Sequence, residues 1–494
     1  MTINIEPNKI EKKARNFWNN IHFHPTDAIE DDWGKRILDK VASDKVAKTV
    51  RMYAMLEDIV TQNEKGELCY DFTLNDLRLD YMLSKGFRIF LSYNFLPPCI
   101  SSDTEEKSTV CKQKTRYKGK YILTAPPKDY GLWEEICKKY TEHIVERYGI
   151  DEVSKWQLQC YNEPDIGAFF MNGATVSERC EEYCKIYDSF ASGVTAVSDK
   201  IAIGGPALAS EYEFFEGFLD HVKKNGVKLD FICFHSYGTT PRLLNNGTQK
   251  ICVANHLTKI RDIIQMSHDR GLGTLPLIID EWGAVTAGYY NGENCPELMF
   301  RETPAFASYF VKLFTMLDAL DFPIEKIMIC LSGQHEMVTD FSGFRNFFTL
   351  NFYQKPIYNA YVLAAKLGEN KLALDRSEIS KDVSIYPTVS DDGKISVLMA
   401  YASPFFDEIA PLDLTLKLKN AENYTAELTV IDEHHANAIN AYRRLGCPDT
   451  PTDSERAEIA AAGELESEPL DIIHHSVTLH MKHNSVILLE FYPA

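Results

Sequence analysis

Two short segments of this 494-residue chain carry residue types suited to acid–base chemistry. Tyr161-Asn162-Glu163-Pro164 and Ile279-Asp280-Glu281-Trp282 each close an apolar run with a carboxylate. A carboxylate at the C-terminal end of a barrel strand lies where (β/α)8 enzymes do their chemistry, and two of them can flank a glycosidic bond. Pro164 is expected to stop the strand at Glu163, and Asn162 offers an amide to a sugar hydroxyl. At a separation of about 5–5.5 Å, Glu281 would be a nucleophile and Glu163 an acid that turns base, giving a retaining mechanism. Two close carboxylates resist joint ionisation, so the proton should rest on the one without a cationic neighbour. Trp282 is expected to wall the pocket, and His235 to orient the sugar or the nucleophile. For His22, His24, Tyr53, Ser92, Tyr237, Tyr289 and Tyr290 the case is their position alone.

Strands and helices must aim these groups. From residue 19 to 368, short apolar runs alternate with helix-period stretches, the pattern of a parallel α/β barrel. The runs predict strands over Asn19–Phe23, Thr49–Leu56, Arg88–Phe95, Lys155–Cys160, Ile201–Gly205, Phe231–His235, Leu277–Glu281 and Lys326–Leu331. Helices are expected at 74–85, 130–148, 177–197, 213–225, 253–270, 303–320 and 356–367, several stopped by Gly86, Gly149, Gly226 and Gly271. Beyond Gly368 the alternation becomes that of an antiparallel sandwich. The expected organisation is a (β/α)8 TIM barrel over 15–368 and a C-terminal β-sandwich over 369–494, with residues 1–14 adding an edge strand to the sandwich.

The composition is that of an ordinary globular protein, with 45% hydrophobic and 25% charged residues. A formal net charge of −19 disfavours nucleic acid and anionic membranes as partners. No apolar run approaches the roughly 20 residues of a spanning helix, and MTINIEPNKIEKKARNFW lacks the pattern of a signal peptide, so a cytoplasmic location is expected. Cys160, Cys233 and Cys330 sit in apolar runs and read as free thiols. Cys180 and Cys184 share a helix face without further ligands at zinc spacing, so no metal or other cofactor is expected. The segment from Pro97 to Tyr121 is the longest connection and carries Lys107, Lys112, Lys114, Arg116, Lys118 and Lys120; it reads as a solvated lid or as a contact for an acidic sugar. A homo-oligomer is left open.

The chain resembles glycoside hydrolase family 39, the β-xylosidase and α-L-iduronidase family. The likeness runs through Ala125-Pro126-Pro127-Lys128-Asp129-Tyr130, Arg147-Tyr148-Gly149-Ile150-Asp151-Glu152-Val153 and the Asn162-Glu163-Pro164 turn. It continues in Ile203-Gly204-Gly205-Pro206-Ala207 and Leu229-Asp230-Phe231-Ile232-Cys233-Phe234-His235. The most specific match is Ile431-Asp432-Glu433-His434-His435-Ala436-Asn437 with Leu445-Gly446-Cys447-Pro448 and Ala460-Ala461-Ala462-Gly463, which has no catalytic reason to recur.

The resemblance implies Glu163 as acid/base, Glu281 as nucleophile and Asn162 as the holder of the 2-hydroxyl. It also implies Arg51 beside the nucleophile, which would assign the proton to Glu163, and Glu336 as a sugar-binding carboxylate. Departures are Ile329 in place of an aromatic platform, Ser92 in place of a glutamate, Tyr53 in place of a histidine, and His22-Phe23-His24 in place of small residues. They predict weak activity on plain xylosides. The expected activity is exo-hydrolysis of plant-polysaccharide oligosaccharides, as a β-xylosidase or with the same catalysis on an arabinoside, glucoside or uronide. A sugar-binding protein without turnover is the remaining alternative.

Overall fold

The computed structural model describes residues 1–23, 32–108, 122–286, 290–331, 337, 339–377, 379–419, 422 and 424–493. Eight parallel strands close into a barrel in chain order. They are β1 (Asn20–His22), β2 (Thr49–Tyr53), β3 (Arg88–Tyr93), β4 (Gln157–Cys160), β5 (Ala202–Leu208), β6 (Phe231–Thr239), β7 (Leu277–Val285) and β8 (Ile324–Cys330). Closure comes from β8 pairing with β1, Ile329 beside Ile21 and Cys330 beside His22.

Around the barrel lie α1 (Asp32–Ser43), α2 (Thr73–Ser84), α3 (Tyr130–Tyr148), α4 (Val176–Thr195), α5 (Tyr212–Asn225), α6 (Asn255–Asp269), α7 (Pro304–Ala319) and α8 (Pro356–Ala365). Local chemistry sets their limits. Asp129 accepts from the Gly131 amide at the start of α3, and Thr175 with Glu178 forms a reciprocal capping box on α4, each contact contributing about 1 kcal/mol. Gly86, Gly149, Gly226 and Gly271 all take positive φ, so the four expected stops are real turns out of helix geometry. The helix α1 and the hairpin of Val60–Gln62 with Leu68–Tyr70 were not among the expected elements.

Barrel strands alternate between the helix layer and the lumen. Ile89, Leu91 and Tyr93 of β3 join the large core under the helices, while Phe90 meets Phe231, Cys233, Ile278 and Met328 in the lumen. This apolar plug fills the base of the barrel and leaves polar side chains above it, toward the C-terminal strand ends.

The remaining strands form two sheets. A seven-stranded sheet runs in the order 467–470, 424–431, 485–493, 395–401, 383–389, 370–372 and 10–13. A three-stranded sheet has Thr2–Ile5 at its edge, parallel to Leu412–Leu418, which pairs with Ser476–Met481. Ile3, Ile5, Leu414, Val397, Leu489 and their neighbours fill the space between the sheets. The other face of the larger sheet packs on α7, where the Tyr386 ring lies 5.5 Å from Phe314. Lys312 of α7 crosses this junction to donate to the carbonyls of Lys381, Asp382 and Ala402. Among the described residues no helix is long and apolar enough to cross a membrane.

Candidate active site

β7 does not end at Glu281 as its apolar run suggested. It continues to Val285, and its pairing slips at one place on both sides. Phe234 and His235 of β6 face Ile279 and Glu281, while Ile327 and Ile329 of β8 face Ile279 and Trp282. One residue of β7 is therefore extra, which is a β-bulge. The bulge points two successive carboxylates, Asp280 and Glu281, into the polar lumen and returns the next side chain to the helix layer.

Glu281 is held from four directions. Arg51 of β2 donates Nη1–H to Oε1 at 2.9 Å, and Tyr237 of β6 donates its hydroxyl to Oε2 at 2.8 Å. His22 Nε2 and His235 Nε2 stand 3.5 and 3.6 Å from Oε1. Beneath it, Asp280 Oδ2 accepts from Gln159 Nε2 at 2.6 Å and meets Arg51 Nη2 at 3.1 Å. Arg51 is fully buried and also donates to Gln159 Oε1 and, at 2.7 Å, to Asn162 Oδ1. Asn162 is thereby fixed by its oxygen, leaving its Nδ2 hydrogens as the donors for another group.

Glu163 stands three residues beyond the end of β4, so Pro164 is not what stops the strand. The chain leaves the sheet through left-handed backbone at Tyr161 and Glu163, with φ of 65° and 48°. Such conformations cost about 1–3 kcal/mol each for residues with side chains. Asp165 secures them: its carboxylate accepts from the amides of Ala209, Ser210 and Glu211 at 2.9, 2.7 and 3.0 Å, tying the turn to the loop after β5. The Glu163 carboxylate meets His235 Nδ1 at 2.6 Å, and it has an oxygen within 4.8 Å of one of Glu281.

The two glutamates differ in proton affinity. Burial raises Glu163, and the negative Glu281 adds to this against the opposing charge of His235. Burial also acts on Glu281, but His235, His22, Arg51 and Arg345 outweigh it and hold this carboxyl well below the usual range. Burial disfavours a charged His235, yet Glu281, Asp280 and Glu163 together raise it to about 10. A proton shared by the pair is thus favoured on Glu163, although that residue does have a cationic neighbour. The decisive factor is the larger set of cations around Glu281.

Arg51, Asn162, His235, Tyr53 and Tyr237 all reach this cluster. The Tyr53 ring lies 5.2 Å from the Arg51 guanidinium. His235 makes its short contact with Glu163 at 2.6 Å, and its other ring nitrogen stands 3.6 Å from Glu281. Trp282 does not wall the pocket. It is fully buried, stacked on Phe310 at 6.0 Å and Tyr309 at 6.5 Å, because the residue after the bulge points to α7. Ile329 likewise packs in the outer core, so the lumen residue near the end of β8 is Cys330, whose Sγ lies within 4.8 Å of His22 and Glu281. Ser92 faces the lumen but donates to the Tyr161 carbonyl at 2.9 Å. Ile329 is thus not positioned to meet a sugar, whereas Ser92 keeps its place in the lumen, its hydroxyl engaged by the chain that leaves β4.

His24, Tyr289, Glu336 and the segment from Lys112 to Lys120 lie outside the described residues; Lys107 pairs with Glu105 at 3.3 Å, and Tyr290 is exposed. Asp280, Gln159, Arg345 and Cys330 were missed as site residues. Arg345, from the chain after β8, donates to the Tyr237 hydroxyl at 3.0 Å, a contact that no motif announces.

Donor atoms of Glu163, His235 and Glu281, and of His22, Glu281 and Cys330, are grouped closely enough to hold a metal ion. Arg51 and the charged His235 oppose a further cation at either set. What the arrangement can do is protonate one side of an acetal while an ionised carboxylate attacks the other.

Comparison with known proteins agrees with this chemistry. The family described as "Glycosyl hydrolases family 39" matches residues 1–469. The β-xylosidase of Caldicellulosiruptor saccharolyticus is 26% identical over 494 residues, 95% of this chain and 92% of that protein. The α-L-iduronidase of Homo sapiens is 27% identical over 210 residues, 39% of this chain and 28% of that protein. A monomeric β-xylosidase from Caulobacter crescentus superposes with a TM-score of 0.82 at 20% identity, over 100% of this chain and 99% of its own. The chain is a glycoside hydrolase and belongs to glycosyl hydrolase family 39.

Proposed function

We propose that the chain is a retaining exo-β-xylosidase acting on oligosaccharides of plant polysaccharides, with Glu281 as nucleophile and Glu163 as acid/base. The observation that carries the mechanism is the close carboxylate pair of unequal proton affinity. Oxygens within 4.8 Å of each other support the close spacing of a retaining pair over the separation of about 6.5–9.5 Å between the carboxyls of an inverting one. Glu281, ionised, attacks the anomeric carbon as Glu163 gives its proton to the departing oxygen. Glu163 then takes a proton from water, which displaces Glu281 from the sugar and returns the site to its starting state. Asn162 Nδ2 and the Tyr53 hydroxyl are the donors proposed for the ring hydroxyls.

The choice of xylose rests on the near full-length similarity to β-xylosidases. A uronide is the second reading, favoured by the Arg345 guanidinium beside Tyr237. Kinetics on aryl β-xyloside, α-L-arabinofuranoside, β-glucoside and a uronide test both. A clear lead for β-xyloside in kcat/KM supports the proposal, and a lead for the uronide replaces it. The anomer released first, read by proton NMR, tests retention. We further take 15–368 as the catalytic unit and 369–494 with 1–14 as accessory. The cytoplasmic location is supported by the free state of the described cysteines.

A further inference from the structure

The reaction above uses two carboxylates, yet the site contains a third. Asp280 is fully buried; alternation from Ile278 already turns it into the lumen, and the β7 bulge sets Glu281 there beside it. Its Oδ2 gathers Gln159 Nε2 at 2.6 Å, Arg51 Nη2 at 3.1 Å and His235 Nε2 at 3.5 Å. His235 presents its other nitrogen to Glu163 at 2.6 Å. The imidazole is therefore a bridge with a permanent anion on one side and the acid/base on the other.

We propose that Asp280 is a positioning residue that keeps His235 an imidazolium and so sets the proton held by Glu163. The proposal rests on Glu163 and Glu281 having the roles given above. While Glu163 is protonated, the imidazolium faces a neutral acid and is balanced by Asp280 and Glu281. Once the proton has gone to the leaving oxygen, the same N–H bond stabilises the new carboxylate, and no further proton needs to move. A neutral His235 would leave that carboxylate without a charged partner in a buried site.

Other charged groups act on this balance. Arg51 and His22 approach from β2 and β1, and Arg345 acts through Tyr237. Lys259 of α6, near Asp165, Glu163 and Asp280, donates to the Leu208 and Ala209 carbonyls. Tyr53, Tyr237 and Cys233 stay neutral, their proton affinities raised chiefly by burial. All of these remain when Asp280 is replaced by its isosteric amide, which removes one negative charge only. Every proton affinity around it then falls.

The experiment is the pH profile of kcat/KM for Asp280→Asn beside 15N NMR of histidine-labelled protein, with His235 assigned through His235→Gln. Both limbs of the profile should move to lower pH, the alkaline one by about one unit, the size expected for a charge at this range. Wild-type His235 should be doubly protonated at pH 8 and the variant should lose that proton at least one unit lower. Lower activity with unmoved limbs, or a neutral wild-type His235 at pH 7, overturns the proposal; the second reading needs no variant to fold. Failure of azide to rescue Glu163→Ala would instead overturn the acid/base assignment and leave the titration of His235 as it is.

Discussion

Replacing Tyr237 by phenylalanine removes one oxygen and separates the ionisation of the nucleophile from its placement. That oxygen donates to Glu281 Oε2 at 2.8 Å and accepts from Arg345 at 3.0 Å, while the ring, 5.9 Å from the Arg345 guanidinium, stays. A hydrogen bond to a charged group contributes about 1.5–3 kcal/mol, and one pKa unit is about 1.36 kcal/mol. Losing it should raise the acid limb of kcat/KM by about 1–2 pH units. Arg51 and His22 remain on the other oxygen, so Glu281 stays ionised at neutral pH. The alkaline limb belongs to Glu163 and His235 and should stay within about 0.3 units, because Tyr237 has no hydrogen bond to either. The same change appears in stability. A carboxyl depressed on folding adds stability that is complete above its unfolded value and disappears as pH falls through the folded one. Tyr237→Phe should therefore unfold at a higher pH on acidification. The assay is the pH profile on an activated aryl glycoside, and an acid limb that does not move refutes the assignment of Tyr237 as a donor to Glu281.

Glu281→Ala should abolish turnover and also lower stability at neutral pH, because it leaves buried Arg51 and His235 without one of their anions; hydrolysis by the folded variant within tenfold of wild type would remove Glu281 as nucleophile. Glu163→Ala should lose far more activity on alkyl glycosides than on activated aryl glycosides, with azide restoring turnover and yielding a glycosyl azide; equal losses without that product would place the acid elsewhere. Trp282→Ala should lower stability by about 3–5 kcal/mol, read by denaturant unfolding, because it empties a stacked core position. A large rise in KM without that destabilisation would restore Trp282 to the pocket. His235, raised to about 10 from an ordinary value near 6.5, adds stability that is complete below pH 6.5 and is lost as pH rises through about 10. Thermal melts from pH 6 to 10 should show this decline in the wild type and should lose it in His235→Gln.

The barrel was legible because strands buried on both faces read as continuous apolar runs. Phe90, Leu91 and Met328 look alike in the sequence whether they face helices or lumen. The same property hid which way each residue points. Trp282 and Ile329 lie next to lumen residues in the sequence, and only the register distinguishes them from a wall of the pocket. Asp280 was visible as a letter but not as a group in the site, since a strand that alternates strictly cannot turn both Asp280 and Glu281 inward, and no turn residue marks the bulge that does so. Glu163 and Glu281 could be found because each ends a recognisable segment. Arg345 could not, being brought to Tyr237 by the long excursion after β8, with no local pattern to announce it.

The edge strand at the start of the chain has a consequence for how the protein is made. The Met1 amino group donates to the carbonyl of Asp413, a partner 412 residues away, and Thr2–Ile5 pairs with the strand around it. At about 5–20 residues per second, Ile3 and Ile5 wait roughly 20–80 s after synthesis before their partner exists. The first barrel strand waits too, because Ile21 closes the ring against Ile329. These strands are thus made long before they find their places, and through that interval an apolar strand with unpaired amides is open to other chains or to chaperones that bind such segments.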